Sequence, residues 1–393
     1  MPKYSDRLRG LPEYPMAGLP AKKRELVARG VDVIDLGPGD ADLAPPEAAV
    51  KRLAEAAANP VMSRYGFGLG LMEYREAIVR WMRKRFGVEF DPIREIVPLL
   101  GSKEGIAHLA LAYVNPRETT IVPEPGYMCY LGGTILSDGR PYSYALRPEN
   151  DFLVDLDEIP PDVLRSTRIL YLNYPNNPTA AIAPRDYLER IVTRCRELDI
   201  LLVYDNAYSE LAYDGYSPPS IFEIDGARDV AIEFHSISKT YNMTGWRCGW
   251  AAGRQELVGA LAQVKTFVDT GNFMAVQAGA AAALDNWASF VPGNVNTFRE
   301  RRDAAVEAFR SNGFECDTPK ATMYLWIRLP EHITSAEFAQ FLIDEEGVVV
   351  MPGSNFGVGG EGFFRVSFIT SPARIREAAA RAGRVLTRLS VGA

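Results

Sequence analysis

A chain of 393 residues, 47% hydrophobic and 24% charged, has the length and apolar content for one large globular domain and a smaller one. Its formal charge of −7 argues against a phosphate-tracking surface for nucleic acid, so any anion site is local. Cys129, Cys195, Cys248 and Cys316 lack CxxC spacing, and no run approaches the roughly 18 apolar residues that span a bilayer, which argues against a zinc site, a disulfide framework and a membrane anchor.

A cytoplasmic protein without a resident metal is the expectation. Residues 1–45 are Pro-rich with a strand-like run at 33–36, and are expected to form an N-terminal arm and part of a small domain. The stretch 71–86 sets Tyr74, Ile78, Trp81 and Phe86 against Arg and Lys on the other face, which predicts a helix packed on a core. Short apolar or β-branched runs follow at 96–100, 119–122, 168–172, 200–204, 230–234 and 248–252, with amphipathic stretches between many of them. That alternation predicts an α/β domain with a mainly parallel central sheet over residues 46–288. Beyond it the texture changes to a helix at 298–311, a strand at 323–329, a helix at 335–346, strands near 348–351 and 363–369, and a final helix. Residues 289–393 therefore read as a smaller α+β domain.

Several of these runs end in polar residues. Gly101-Ser102-Lys103-Glu104-Gly105 leads into a helical stretch at 106–113; such a turn aims backbone N–H groups at an anion, and Ser102 and Lys103 add side-chain contacts. Glu124-Pro125-Gly126-Tyr127 offers Tyr127 to stack on a planar ring, although an aromatic there is more often packing. Two prolines restrict Asn173-Tyr174-Pro175-Asn176-Asn177-Pro178-Thr179 and leave the asparagine side chains as its fixed polar groups; a structural turn is the plainer reading. Asp205 closes the 200–204 run, where open α/β sheets place ligands; it can pair with a protonated ring nitrogen or simply cap a helix. A lysine between small hydroxyl residues just after a buried strand, Ser236-Ile237-Ser238-Lys239, is partly desolvated and suited to Schiff-base chemistry. Ser236, Ser238 and Arg247 can hold a dianionic phosphate there. Alone, this segment would be a surface lysine in a polar loop. With the other motifs it points to pyridoxal-5′-phosphate (PLP) on Lys239, with Asp205 at the pyridine nitrogen and Tyr208 and Asn177 at the phenolic oxygen.

The motifs Tyr174-Pro175-Asn176-Asn177-Pro178, Asp205-Asn206-Ala207-Tyr208, Ser236-Ile237-Ser238-Lys239 and Gly245-Trp246-Arg247, in this order, resemble the class I/II aminotransferases of PLP fold type I. The likeness extends from Leu36-Gly37-Pro38-Gly39-Asp40 to Gly362-Phe363-Phe364-Arg365-Val366-Ser367. The runs from Gly101 to His108 and from Ser238 to Arg247 are most similar to the bacterial LL-diaminopimelate aminotransferase-like branch. The resemblance implies a homodimer with active sites shared at the interface, Tyr65 reaching the neighbour's cofactor phosphate. It also implies that Arg365 clamps the substrate α-carboxylate, with Gly39 bringing its backbone close to the same group and Asn177 beside it. Tyr14, in the arm, would line the entrance.

The function so read is ping-pong transamination between an amino acid and a 2-oxo acid, with Lys239 moving the Cα proton. A fold-type-I lyase, cyclase or synthase acting by β- or γ-elimination or replacement would use the same residues, but would turn over without a keto-acid acceptor. A non-catalytic PLP-binding regulatory module is the more distant alternative; the chain lacks a basic helix-turn-helix segment to go with it. Two departures from the family stand out. Thr179-Ala180 replaces the usual Thr-Gly, which predicts a backbone avoiding positive φ at Ala180. Diaminopimelate aminotransferases resemble this region but carry a glutamate at the position of Leu69, which reaches the neighbouring site to meet the substrate's distal ammonium. Leu69 therefore predicts that diaminopimelate is a poor substrate and a less polar or differently charged side chain a better one, unless Glu104 or another carboxylate nearby takes the glutamate's place.

Overall fold

The computed structural model describes residues 2–12, 18–67 and 70–391. Seven strands form the central sheet: β1 (Ile96–Leu99), β2 (Thr119–Glu124), β3 (Arg140–Ala145), β4 (Thr167–Leu172), β5 (Leu201–Asp205), β6 (Ala231–Ser236) and β7 (Gly249–Gly253). Their order across the sheet is β1-β7-β6-β5-β4-β2-β3. Neighbours from β6 to β3 run parallel, while β7 is antiparallel to both β6 and β1. The sheet is thus mainly parallel, as expected. Successive residues of a strand feed opposite faces: Leu170 and Leu172 pack with Tyr74, Trp81 and Leu188, whereas Ile169 and Tyr171 pack with Ile106, Leu109 and Leu261. Because both faces are covered, these strands read as unbroken apolar runs.

β3 escaped the sequence reading. It is an edge strand, mostly solvent-facing, and its Arg140, Pro141 and Ser143 break the apolar pattern.

The expected helix of 71–86 forms as Met72–Phe86, with Tyr74, Ile78, Trp81 and Phe86 buried. It stops where Gly87 takes φ 71 and donates to the Arg83 carbonyl, after a last turn of Arg83, Lys84 and Arg85 that suits the negative end of the helix dipole.

A second core collects the remaining elements. An antiparallel sheet runs in the order Met351–Pro352, Phe363–Ser367, Tyr324–Arg328, Glu315–Cys316, and Phe298, Phe314, Phe338 and Phe364 pack against it. Near the N-terminus, Ile34–Asp35 pairs in parallel with Val348–Val349, and Ile34 and Leu36 enter the same core. The helix expected at 298–311 begins earlier, as Trp287–Ser311, and passes through Pro292.

The expectation for Ala180 is corrected: its φ is 60. Asn176 explains the difference. Its side-chain oxygen accepts from both Thr179 N–H and Thr179 hydroxyl (3.0 and 2.8 Å), while backbone bonds join Ala180 N to Asn176 O and Asn176 N to Ala181 O (3.0 and 2.9 Å). Four bonds within one buried turn outweigh the roughly 1–2 kcal/mol that a left-handed conformation costs a residue with a Cβ. Ala180→Gly relieves that cost but loses more chain entropy on folding, so a net stabilisation of up to about 1 kcal/mol is expected. Urea-unfolding midpoints of the two proteins measure it, and a lowered midpoint would contradict the strain at Ala180.

Candidate active site

The parallel strands all end on one side of the sheet, and there a cavity of about 240 Å³ opens. Strand direction explains which residues meet in it. The carboxyl ends of β1, β2, β4, β5 and β6 deliver Ser102 and Lys103, Tyr127, Asn173 and Asn177, Asp205, and Ser236, Ser238 and Lys239 in turn. Reversal of β7 brings its amino end, and Arg247 before it, to the same side. Arg365 and Tyr324 arrive from the antiparallel sheet, and Gly39 from the segment after Ile34–Asp35.

Asp205 is the one carboxylate among the described residues that line the cavity. It is 4% exposed; Oδ2 accepts a hydrogen bond from the Tyr130 hydroxyl at 2.8 Å, and Oδ1 has no partner among the described residues. Burial raises its pKa to about 6, against the opposing pull of the Tyr130 hydrogen bond and of nearby His235. No helix begins at Asp205, so the capping alternative falls away. Its own backbone carbonyl is held by the Asn173 amide at 2.7 Å, and the Asn173 side-chain oxygen in turn accepts from Asn177 N–H at 2.8 Å. The asparagine turn is therefore stitched to the end of β5.

Arg365 is buried and forked. One guanidinium nitrogen donates to Asn177 Oδ1 and another to the Gly37 carbonyl, each at 2.6 Å, and the plane lies 4.2 Å from the Tyr324 ring centre. Tyr324 hydroxyl is 2.9 Å from that of Tyr208, whose pKa burial pushes well above its usual value. Lys239 donates through Nζ to the Gly39 carbonyl. At the anion-suited end, Arg247 donates to the Thr244 and Leu100 carbonyls at 2.8 and 3.2 Å. A Cβ on Gly101, at φ 81, would collide with its guanidinium.

Gly39, Ser102, Lys103, Tyr127, Asn177, Asp205, Tyr208, Ser236, Ser238, Lys239, Arg247 and Arg365 thus converge on one cavity. Tyr65 does not: its ring is 70% exposed, tilted against Phe67. Tyr14 and Leu69 lie outside the described residues. Glu104 is ion-paired with the buried Lys265, which also holds Asp269, and lies apart from the cavity lining. Met128, Tyr324, Met351, Asn355 and Phe356 line the cavity without having been singled out. The apolar or aromatic Met128, Tyr324, Met351 and Phe356 read as core, and Asn355 belongs to no motif; only the pairing of Tyr324–Arg328 with Phe363–Ser367, beside Arg365, could have drawn attention to Tyr324.

The family model for class I and II aminotransferases matches residues 31–381. The chain is a class I and II aminotransferase. It is 46% identical over 379 residues to an LL-diaminopimelate aminotransferase of Aquifex aeolicus (96% of this chain, 98% of that one), and 44% identical to one of Moorella thermoacetica (98% of each). Among solved structures, substrate-bound BacF of Bacillus subtilis superposes with a TM-score of 0.94 at 31% identity, covering 98% of both chains. A probable N-succinyldiaminopimelate aminotransferase of Thermus thermophilus gives 0.89 at 38%, covering 93% of this chain and 98% of that one. This aminotransferase has PLP fold type I, depends on pyridoxal phosphate, and transfers amino groups between amino acids and oxo acids.

The charge state of Asp205 has a consequence for stability. In the cofactor-free aminotransferase its pKa of about 6 exceeds the roughly 3.9 of an unfolded aspartate, so the native state holds the proton more tightly. The associated stabilisation is complete at low pH and is lost as pH rises from about 4 through about 6. Asp205→Asn removes the ionisation. The cofactor-free variant is expected to be more stable than wild type at pH 8, by up to about 3 kcal/mol, with the gain disappearing near pH 4. Urea midpoints at the two pH values test this; a gain independent of pH would contradict it.

Proposed function

We propose that Lys239 is the amine that carries PLP and moves the substrate proton, with Asp205 serving the ring nitrogen and Arg365 the substrate α-carboxylate. The observation that carries this reading is the buried Asp205 Oδ1, an acceptor without a partner among the described residues, on a residue that lines the same cavity as Lys239. A protonated pyridine nitrogen is the donor that such an oxygen fits. When bound, PLP supplies an aldehyde that takes up the amino group and a ring that holds the electrons released at the substrate Cα.

The chain's own groups do the rest. Asp205 keeps the ring nitrogen protonated. Tyr208 and the Asn177 amide donate to the phenolic oxygen, with Asn177 Oδ1 already turned toward Arg365. Ser102, Lys103, Ser236, Ser238 and Arg247, which line the cavity, would hold the phosphate, and Tyr127 would stack on the ring. Arg365 offers its fork to the α-carboxylate, beside the Gly39 backbone, and Lys239 Nζ takes the Cα proton and returns it to the cofactor's adjacent carbon. Release of one 2-oxo acid and uptake of another completes the ping-pong cycle.

In the cell we place the enzyme in the cytoplasm, in keeping with four unpaired cysteines, as a homodimer. The exposed Tyr65, Phe67, Phe267 and Phe273 suit a covered surface, with Tyr65 completing the neighbour's phosphate site and Tyr14 lining the entrance. We divide the chain into residues 1–45 and 289–393 around a large domain of 46–288; Ile34 and Leu36 share a core with residues from Phe298 onward, a core that also takes in Tyr208, Leu211 and Tyr213 of the large domain.

For the substrate we propose an amino acid with an uncharged, largely apolar side chain, rather than the LL-diaminopimelate of the relatives' names. Around Arg365 stand Tyr324, Met351 and Phe356, and the only carboxylate among the described lining residues is Asp205. A distal ammonium would lie unpaired, as the leucine at position 69 already suggested. The ratio kcat/KM for LL-diaminopimelate is therefore expected to fall below that for neutral and aromatic amino acids, and Leu69→Glu to shift it toward diaminopimelate. A wild type that prefers diaminopimelate across such a panel would overturn the assignment. Arg365→Ala is expected to raise KM for the amino substrate by about thirty- to several-thousand-fold, equivalent to about 2–5 kcal/mol; an unchanged KM would remove Arg365 from the site.

A further inference from the structure

We infer that Tyr130 is a positioning residue for the reaction: its hydroxyl fixes the Asp205 carboxylate so that one oxygen stays ionised and open toward the cofactor ring. The inference rests on the assignment of Asp205 to the ring nitrogen. A carboxylate buried at the end of a strand has two ways to fail. It can take up a proton, or it can rotate and satisfy itself on neighbouring protein donors. Tyr130 opposes both. It donates to Oδ2 at 2.8 Å, which favours the charged form, and Oδ2 is the one oxygen so engaged, leaving Oδ1 without a partner among the described residues. Burial pulls the other way, pushing the Asp205 pKa to about 6.

The tyrosine is itself held in place. Its ring stacks on Tyr171 (centres 4.9 Å apart, planes 12° apart) and meets Tyr127 edge to face at 5.8 Å. It sits in the first turn of the helix Cys129–Leu136, where its carbonyl accepts from the Thr134 hydroxyl at 2.9 Å. The same residue thus touches the aromatic assigned to the ring's face and the carboxylate assigned to its nitrogen. Rotation of Asp205 would break a bond whose donor cannot follow.

Tyr130→Phe keeps the ring packing and removes only the donor. The decisive readout is the 15N chemical shift of the ring nitrogen in holoenzyme loaded with 15N-labelled PLP, which reports protonation directly. With Tyr130→Phe the signal is expected to move toward the unprotonated position, and kcat to fall about tenfold or more with little change in KM. Asp205→Asn should move the signal fully, and the double variant should match Asp205→Asn alone, because Tyr130 acts through Asp205. Tyr171→Phe alters the stacked neighbour without touching Asp205, and is expected to leave the signal where it is. A wild-type signal in Tyr130→Phe, with a shifted one in Asp205→Asn, would overturn the role of Tyr130 alone. A wild-type signal in both would overturn the assignment of Asp205 as well, and a shift in Tyr171→Phe equal to that in Tyr130→Phe would reduce the effect to packing.

Discussion

The site depends on one unfavourable act of burial: a carboxylate at the end of β5, 4% exposed, with an oxygen left unpaired among the described residues. Desolvation of an aspartate is costly, and folded chains ordinarily neutralise or pair it. Here the surrounding strands leave no such escape. Asn173 holds the Asp205 backbone, Tyr130 holds one oxygen, and Asp205 itself lines a cavity whose other charged lining residues, among those described, are Lys103, Lys239, Arg247 and Arg365. What costs the empty protein stability is what makes it receptive to a cationic ring nitrogen, so affinity for the cofactor and instability without it share one origin.

The same economy governs the link between the two cores. Arg365 belongs to the antiparallel sheet, yet its fork ends on Asn177 of the turn after β4 and on Gly37 of the N-terminal segment. Tyr324, from the adjacent strand, lies against both Arg365 and Tyr208. Groups assigned to the substrate and groups assigned to the cofactor are therefore mechanically joined. A shift of the antiparallel sheet would move the carboxylate clamp and the asparagine turn together. The reversed strand β7 performs the corresponding service at the phosphate end, because only an antiparallel strand next to β6 can bring Arg247 to the side where β6 delivers Lys239.

How much of this could be read from residues alone follows from where each signal resides. Strands buried on both faces announce themselves as apolar runs, and the polar residue that ends each run marks the ligand side of the sheet; hence Asp205, Asn177, Ser238 and Lys239 were visible. Edge strand β3 was not, since solvent permits Arg140 and Ser143 there. The helix Trp287–Ser311 starts ahead of the expected bound and continues through Pro292, a residue that propensity alone disfavours inside a helix. Ala180 misled because the left-handed turn is enforced by Asn176, whose bonds are invisible in a propensity. Tyr130 belongs to no motif in the sequence; its bond to Asp205 spans 75 positions and exists only once the helix Cys129–Leu136 stands beside β5.

The central claim is that Lys239, and no other amine, carries the cofactor. Two lysines among the described residues line the cavity, Lys239 and Lys103, so either amine is a rival for the cofactor. Borohydride reduction of the holoenzyme fixes the cofactor on whichever amine holds it, and proteolysis with mass spectrometry locates the pyridoxyl group. It is expected on the peptide containing Lys239; recovery on the peptide containing Lys103 would contradict the assignment and the proton-transfer role built on it.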